Sequence, residues 1–291
     1  MAMISTFLRG QGLFARASRS SAWTIVGYVA SQVLRFGSNL ILTRILFPEA
    51  FGIMALVTVA LVGLSNFSDV GTAPAISYSR RGDDPDFLDT AWTLHVVRGV
   101  LLWLTITAIA VPFGRFYGEP LLSQLLPVAG LSFLIGGLFP TRIETAHRHL
   151  DLARVTQLDL ACQIISLILT ILLAWWTRSI WALVVGGVFA TATKLVLSQA
   201  MLPGHLNRLR MEPGARRELM HFGKWIFLST VCGFLIAQGD RLILGRTLSM
   251  DMLGIYNIGY FLASFPLLMA GPGAGPGLVP LHPVCPPGPS P

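Results

Sequence analysis

The chain has 291 residues, of which 53% are hydrophobic and 12% charged, against roughly 25% charged in an average soluble domain. So little polar surface cannot cover a water-facing globule, which excludes an ordinary soluble enzyme or binding module and leaves a membrane protein. The net charge is +7, yet no basic surface interleaved with aromatics runs through the chain, so no nucleic-acid partner is expected.

Residues 1–20 mix Phe7, Leu8, Leu13 and Phe14 with Arg9, Arg16 and Arg19. Such a segment suits the anionic lipids of the inner leaflet, although Gly10 and Gly12 weaken a continuous helix there. Eight long, weakly charged stretches follow, at about 22–42, 52–68, 90–112, 121–140, 155–176, 180–200, 224–244 and 252–269. Each is near the ~20 residues that span a bilayer. The runs are continuous rather than alternating, so they predict helices and not barrel strands. The expected fold is therefore an all-α polytopic bundle of about eight transmembrane helices. The first stretch follows three arginines without a clear cleavage site, and reads as a retained signal anchor.

With the N-terminus inside, thirteen basic residues fall in inner segments, among them Arg80, Arg81, Arg142, Arg148, Arg154, Arg208, Arg210, Arg216 and Arg217. Five fall in outer loops or adjoining helix ends: Arg44, Arg115, Arg178, Arg241 and Arg246. The bias predicts a cytoplasmic N-terminus.

Polar residues inside the spans are the candidates for function. Tyr28, Gln32, Arg35 and Asn39 in the first span are spaced 4, 3 and 4 apart, on one helix face. A charge near mid-bilayer costs on the order of 2.5–3.5 kcal/mol, so this stripe should face protein or water. Arginine offers a planar fork to phosphate. The competing reading has Arg35 snorkelling outward or pairing with an acid on a neighbouring helix. Arg98 and Lys194 lie nearer the inner surface, where snorkelling is the simpler reading. Asp240 and Arg241 are expected to end the seventh span, pairing, capping or binding. The substrate-cavity candidates are thus Gln32, Arg35, Asn39, Arg98, Asp240 and Arg241. Gln157, Asp159 and Gln163 read as interhelical hydrogen-bonding groups, and Gly27, Gly63, Gly99, Gly136, Gly186 and Gly187 as close-packing positions.

Enzyme-like signals are weak. Asp84-Pro85-Asp86 matches the DxD of metal-dependent glycosyltransferases, but a helix cap followed by proline at the first position explains it as well. His147 and His149 form a lone HxH, and Cys162, Cys232 and Cys285 have no metal-ligand spacing. No catalytic residues, metal site or cofactor are expected.

The chain also repeats itself. Trp23 to Ile53, laid over Trp225 to Ile255, gives ten identities in 31 positions, including Trp, Gly and Arg. Six spans precede the second copy, so both copies enter the membrane in the same direction. The expected organisation is a basic segment at 1–20, a first six-helix half at 21–202 and a cytoplasmic linker at 203–222. The first two helices of a second half follow at 223–269. The last residues, "AGPGAGPGLVPLHPVCPPGPSP", are 13 of 22 Gly or Pro and cannot build a span. We read 270–291 as a disordered, frameshifted tail on a fragment, with a natural disordered tail as the alternative.

The strings "LTRILFPEAFGIMAL", "FSDVG", "GKWIFLS", "QGDRLILGR" and "LGIYNIGYFLA" resemble bacterial oligosaccharide flippases of the polysaccharide export group. That group belongs to the multidrug/oligosaccharidyl-lipid/polysaccharide exporter superfamily. The resemblance covers about Ser20 to Met269. It implies a two-halved transporter that moves lipid-linked oligosaccharide, typically undecaprenyl-diphosphate-linked, between leaflets. It further implies a place beside the glycosyltransferases and polymerase of the same pathway. A drug or small-cation exporter of the superfamily, and a membrane-embedded polysaccharide polymerase or transferase, are the rival readings.

Overall fold

Backbone amides left unpaired in lipid are too costly, so apolar runs of this length must satisfy their hydrogen bonds internally. The computed structural model describes residues 13–68, 76, 79, 81–149 and 151–270, with the backbone path alone for 13–24, 216–218, 220–229 and 265–270. Among these residues all regular structure is helical, as expected: α1 (Leu13–Ile45), α2 (Pro48–Phe67), α3 (Pro85–Tyr117), α4 (Pro120–Gly137), α5 (Arg142–Arg148), α6 (Leu152–Thr177), α7 (Trp181–Met201), α8 (Pro213–Thr247) and α9 (Met250–Ala270).

Six of them, α1 from Ile25, α2, α3, α4, α6 and α7, are long and apolar enough to cross a membrane. The seventh and eighth expected spans fall on α8 and α9. The Gly/Pro-rich tail beyond Ala270 lies outside the described residues. Proline supplies the first turn of α2, α3, α4 and α8, where its missing N–H costs nothing. Asp84 caps α3 by accepting from the Asp86 amide at 3.1 Å, so the DxD signal is a helix start. Gly118, at φ 73°, ends α3 in the left-handed region and turns the chain back into α4.

Two features depart from the expectation. α3 is 33 residues long, about 50 Å at 1.5 Å per residue, and projects beyond a ~30 Å hydrocarbon layer. α8 reaches Thr247, so Asp240 and Arg241 lie within the helix rather than ending it.

α3 packs along α4, α4 on α7, α7 on α6 and α6 on α1. α2 packs on both α8 and α9. A core of Ile53, Leu56, Ile106, Leu122, Leu125, Val184 and Leu253 fills one end of the bundle. On α6, Ile164, Ile165, Ile168, Leu172 and Trp176 are exposed on one stripe, as a lipid-facing surface requires.

Two crossings depend on glycine because backbone meets backbone. A Cβ on Gly99 would stand 2.5 Å from the Phe133 carbonyl oxygen and 3.1 Å from the Gly137 Cα. At the α2–α9 crossing, a Cβ on Gly52 would overlap the Met250 carbonyl, 2.9 Å from its carbon and 3.0 Å from the Gly254 nitrogen. A Cβ on Gly254 would overlap the Pro48 carbonyl, 2.7 Å from its carbon and 3.1 Å from the Gly52 nitrogen. The contact is reciprocal. Each glycine sits on the carbonyl four residues ahead of the other, and the two pairs are related by the offset of the sequence repeat.

The arginine-rich end is tied together by polar contacts. Arg148 donates to the Ile76 and Ser79 carbonyls at 3.0 and 2.7 Å and pairs with Asp83 at 3.0 Å. Arg81 bridges Asp84 and Glu212 at 2.6 and 2.7 Å. Residues 203–212, between α7 and α8, run as an extended strap over the first turns of α3. The amides of Arg208, Arg210 and Glu212 donate to Asp89, Thr93 and Thr90, each at 3.0 Å. Asp89, buried, also accepts from His205 Nε2 at 2.8 Å. Asn207 holds Thr141 by two bonds, at 3.1 and 2.7 Å. The strap is a built part of the fold.

Candidate functional site

The α1 sequence puts Arg35 and Asn39 one turn apart on one face. α2 crosses that face with Met54 and Thr58, and α9 closes it with Asn257 and Tyr260. The result is a cavity of about 610 Å³ lined by α1, α2, α8 and α9, with Arg35, Asn39 and Arg241 in its wall. A second cavity of about 700 Å³ lies between α1, α6 and α7, and Arg35 and Asn39 line it too. Arg35 therefore stands where the two spaces meet. Its guanidinium has no ion pair among the described residues. Facing the bundle interior instead of lipid is the condition under which a mid-membrane arginine is tolerated.

Arg241 is held in place by neighbours. Nη1 donates to Gln238 Oε1 at 2.6 Å, and the guanidinium lies 4.8 Å from the centre of the Tyr260 ring. Its Nε is buried without a hydrogen-bond partner. Asp240 accepts from the Tyr256 hydroxyl at 2.6 Å and from the Arg241 amide at 2.8 Å. It serves as an anchor between α8 and α9 and does not line the cavity described above.

The other candidates are placed elsewhere. Gln32 is 4% exposed, packed into the helix interface instead of facing either cavity. Arg98 donates to the Ser65 carbonyl at 2.7 Å and to Ser68 Oγ at 3.0 Å, closing the end of α2. It lines a separate space of about 220 Å³ with His95 and Glu144. Arg98 neither snorkels freely nor reaches Arg35. The carbonyls at the end of α2 take its charge, because a helix C-terminus carries partial negative charge.

Two cavity residues were not among the candidates. Lys194 on α7 pairs with Asp159 on α6 at 2.8 Å in the second cavity. Beside them, Ser31 donates to Gln163 Oε1 at 2.6 Å, and Gln163 Nε2 returns a bond to the Ser31 carbonyl at 2.9 Å. In the sequence Asp159 and Lys194 stand on different helices. Only the packing of α6 on α7 makes them a pair.

Glu144 stands outside the spans, on α5. Burial pushes its carboxyl up to about 7, against a weaker opposing effect of the Lys194 charge. The folded chain thus keeps a proton that the unfolded chain loses above 4.5. Stability from that retention is present at low pH and is lost as pH rises toward about 7. The detergent-solubilised protein is expected to melt at a lower temperature at about pH 8 than at about pH 5, and Glu144→Gln is expected to shrink the difference. An unchanged difference would show that Glu144 is not responsible.

Residues 41–271 match the family described as "Polysaccharide biosynthesis protein". The chain belongs to this family. Among the chain's curated relatives is the lipopolysaccharide biosynthesis protein WzxC of Escherichia coli, 21% identical over 86% of this chain and 51% of its own length. The teichuronic acid biosynthesis protein TuaB of Bacillus subtilis is 23% identical over 64% of this chain and 38% of its own. The succinoglycan biosynthesis transport protein ExoT of Rhizobium meliloti is 20% identical over 86% and 50%. No solved structure matches. The chain spans about half the length of the curated relatives it matches, or less. It is a multi-pass membrane protein of a polysaccharide biosynthesis family.

Proposed function

We propose that the intact protein carries a lipid-linked oligosaccharide, of the undecaprenyl-diphosphate type, across the bacterial inner membrane. It would feed exopolysaccharide, capsule or O-antigen synthesis, with glycosyltransferases and a polymerase as pathway partners. The observation that carries this reading is the cavity bounded by α1, α2, α8 and α9, with Arg35 of α1 and Arg241 of α8 both in its wall. A diphosphate headgroup needs forked cationic donors in a space shielded from lipid. The acyl tail can remain in the bilayer, and no covalent step is required. That the relative ExoT is a succinoglycan biosynthesis transport protein supports the same reading.

The first six spans, with α8 and α9 opening a parallel second half, form the proposed architecture. Reciprocal seating of Gly52 and Gly254 supports a two-fold relation along the membrane normal. The arginine-rich end, including the strap, is proposed to face the cytoplasm, together with the N-terminus. Alternating access would then rock one half against the other around the cavity. A small-cation exporter would favour acids in the cavity wall, whereas the described wall holds Arg35 and Arg241 and no acid.

In the protein carrying its full second half, Arg35→Ala is expected to lower flipping of lipid-linked sugar in liposomes by about 10- to 100-fold. That is the loss of one charge-assisted hydrogen-bond set. Folding should be unaffected, since Arg35 makes no ion pair among the described residues. Wild-type flipping by this variant would remove Arg35 from the mechanism.

A further inference from the structure

The strap presents an unusual combination. Its backbone is pinned to α3 at Arg208, Arg210 and Glu212. Its apolar side chains nevertheless point away: Leu206 is 74% exposed, Leu209 71% and Met211 45%. A loop free to relax would fold such side chains inward, but here the backbone bonds leave them no route back. Arg208, exposed among them, makes no ion pair among the described residues. Arg210 pairs with Asp86.

The side of the molecule that the strap covers is informative. Thr93, Val97, Leu101 and Leu104 lie on one stripe of α3, at steps of 4, 4 and 3. Val97, Leu101 and Leu104 are 46%, 58% and 52% exposed, and form the outward apolar face of that helix. The strap lies on the continuation of this same face, over Thr93 and Asp89. The apolar stretch of α3 begins near residue 90. The strap, bonded to Asp89, Thr90 and Thr93, therefore lies at the edge of that stretch, with Leu206, Leu209 and Arg208 exposed.

We propose that residues 206–211 form a membrane-contact element that inserts Leu206, Leu209 and Met211 among the headgroups of anionic phospholipid on the arginine-rich side, with Arg208 as the headgroup partner. Apolar area and basic charge act together in interfacial binding. Anionic lipid is the occupant that matches both the exposed leucines and the cation between them. This contact does not depend on which cargo the protein carries.

The test uses the whole chain in a background of Cys162→Ala, Cys232→Ala and Cys285→Ala, with Leu209→Cys carrying a polarity-sensitive fluorophore. The protein is placed in lipid nanodiscs of phosphatidylcholine with or without phosphatidylglycerol. The expected result is blue-shifted emission, quenched by spin-labelled lipid, that is stronger with phosphatidylglycerol. Arg208→Gln should lower the ratio of lipid-contacting to water-exposed label by about fivefold. It leaves the backbone bond to Asp89 in place, so the strap remains docked. Leu206→Cys gives an independent reading should Leu209→Cys fold poorly. Water-like emission at both sites in both lipid mixtures would overturn the proposal. So would blue-shifted emission that spin-labelled lipid does not quench, because protein would then cover the leucines.

Discussion

Gly254→Ala is expected to destabilise the protein, although alanine is the better helix former. In an unhindered helix interior the change should be favourable by about 0.5–1 kcal/mol. At this crossing the new Cβ would lie 2.7 Å from the Pro48 carbonyl carbon and overlap its oxygen, and backbone cannot rotate away as a side chain can. α2 and α9 must move apart, which opens gaps along Met250 and Leu253, both part of the main core. Overpacking of this kind costs about 1–3 kcal/mol, and more where two backbones collide. The expected fall in detergent melting temperature is about 2–12 °C. Gly52→Ala should behave alike, because a Cβ there meets the Met250 carbonyl in the mirrored position. The double variant should cost less than the sum, since the first substitution already separates the helices that the second would strain. Gly37→Ala is the control, with nothing within 4 Å of the added carbon, and should be neutral or stabilising. If Gly254→Ala melted like Gly37→Ala, the tight α2–α9 crossing would be wrong.

Asp89→Ala is expected to release the strap. The carboxylate is 4% exposed and receives both the His205 ring and the Arg208 amide on one oxygen. Removing it strands two donors at the base of α3. Losing the charged acceptor and leaving its donors unsatisfied should cost about 2–4 kcal/mol locally. The strap would then open more often, with Arg208 and Arg210 available to trypsin. Cleavage of a transiently opened segment follows the population of the open form. A loss of about 1.4–2.8 kcal/mol in strap closure would speed clipping at these arginines roughly 10- to 100-fold. Asp89→Asn retains an acceptor oxygen and should fall between the two. Mass spectrometry of limited digests reads the result directly. Equal clipping rates for wild type and Asp89→Ala would mean that Thr90, Thr93 and Asn207 hold the strap without Asp89.

Much of the fold is legible in the residues because hydropathy and charge are sums over neighbours in the chain. The eight apolar stretches all fall on helices, and Asp84 and Pro85 start α3 where their chemistry says they should. Helix ends were less legible. Hydropathy stops at the water interface, whereas the hydrogen-bond ladder of α3 and α8 continues through polar residues beyond it. The seven-residue α5 carries no apolar run to reveal it. The close packing expected at Gly99 and Gly186 is present, where an added Cβ would meet Phe133 and Thr170, but a Cβ added at Gly136 or Gly187 would meet nothing within 4 Å. Gly52 and Gly254 had a signal: they match each other in the repeat.

The candidate site was legible in part. Arg35, Asn39 and Arg241 share a cavity wall. Arg98 does not join them, because the carbonyl end of α2 comes within 2.7 Å of its guanidinium. The sequence marks Asp159 as an interhelical hydrogen-bonding group but does not name Lys194 as its partner, since 35 residues separate the two.

By itself, the order of residues determined that this chain enters lipid as helices, which of its ends is rich in arginine, and that its first and seventh spans echo each other. Those properties follow from composition along a single helix. Which polar groups share a space was decided by tertiary packing alone. A helix presents every side chain around its axis, and only a neighbour's position turns one face into a cavity wall and another into an interface. Arg35 and Gln32 are three residues apart on one helix, yet one lines two cavities and the other is packed away.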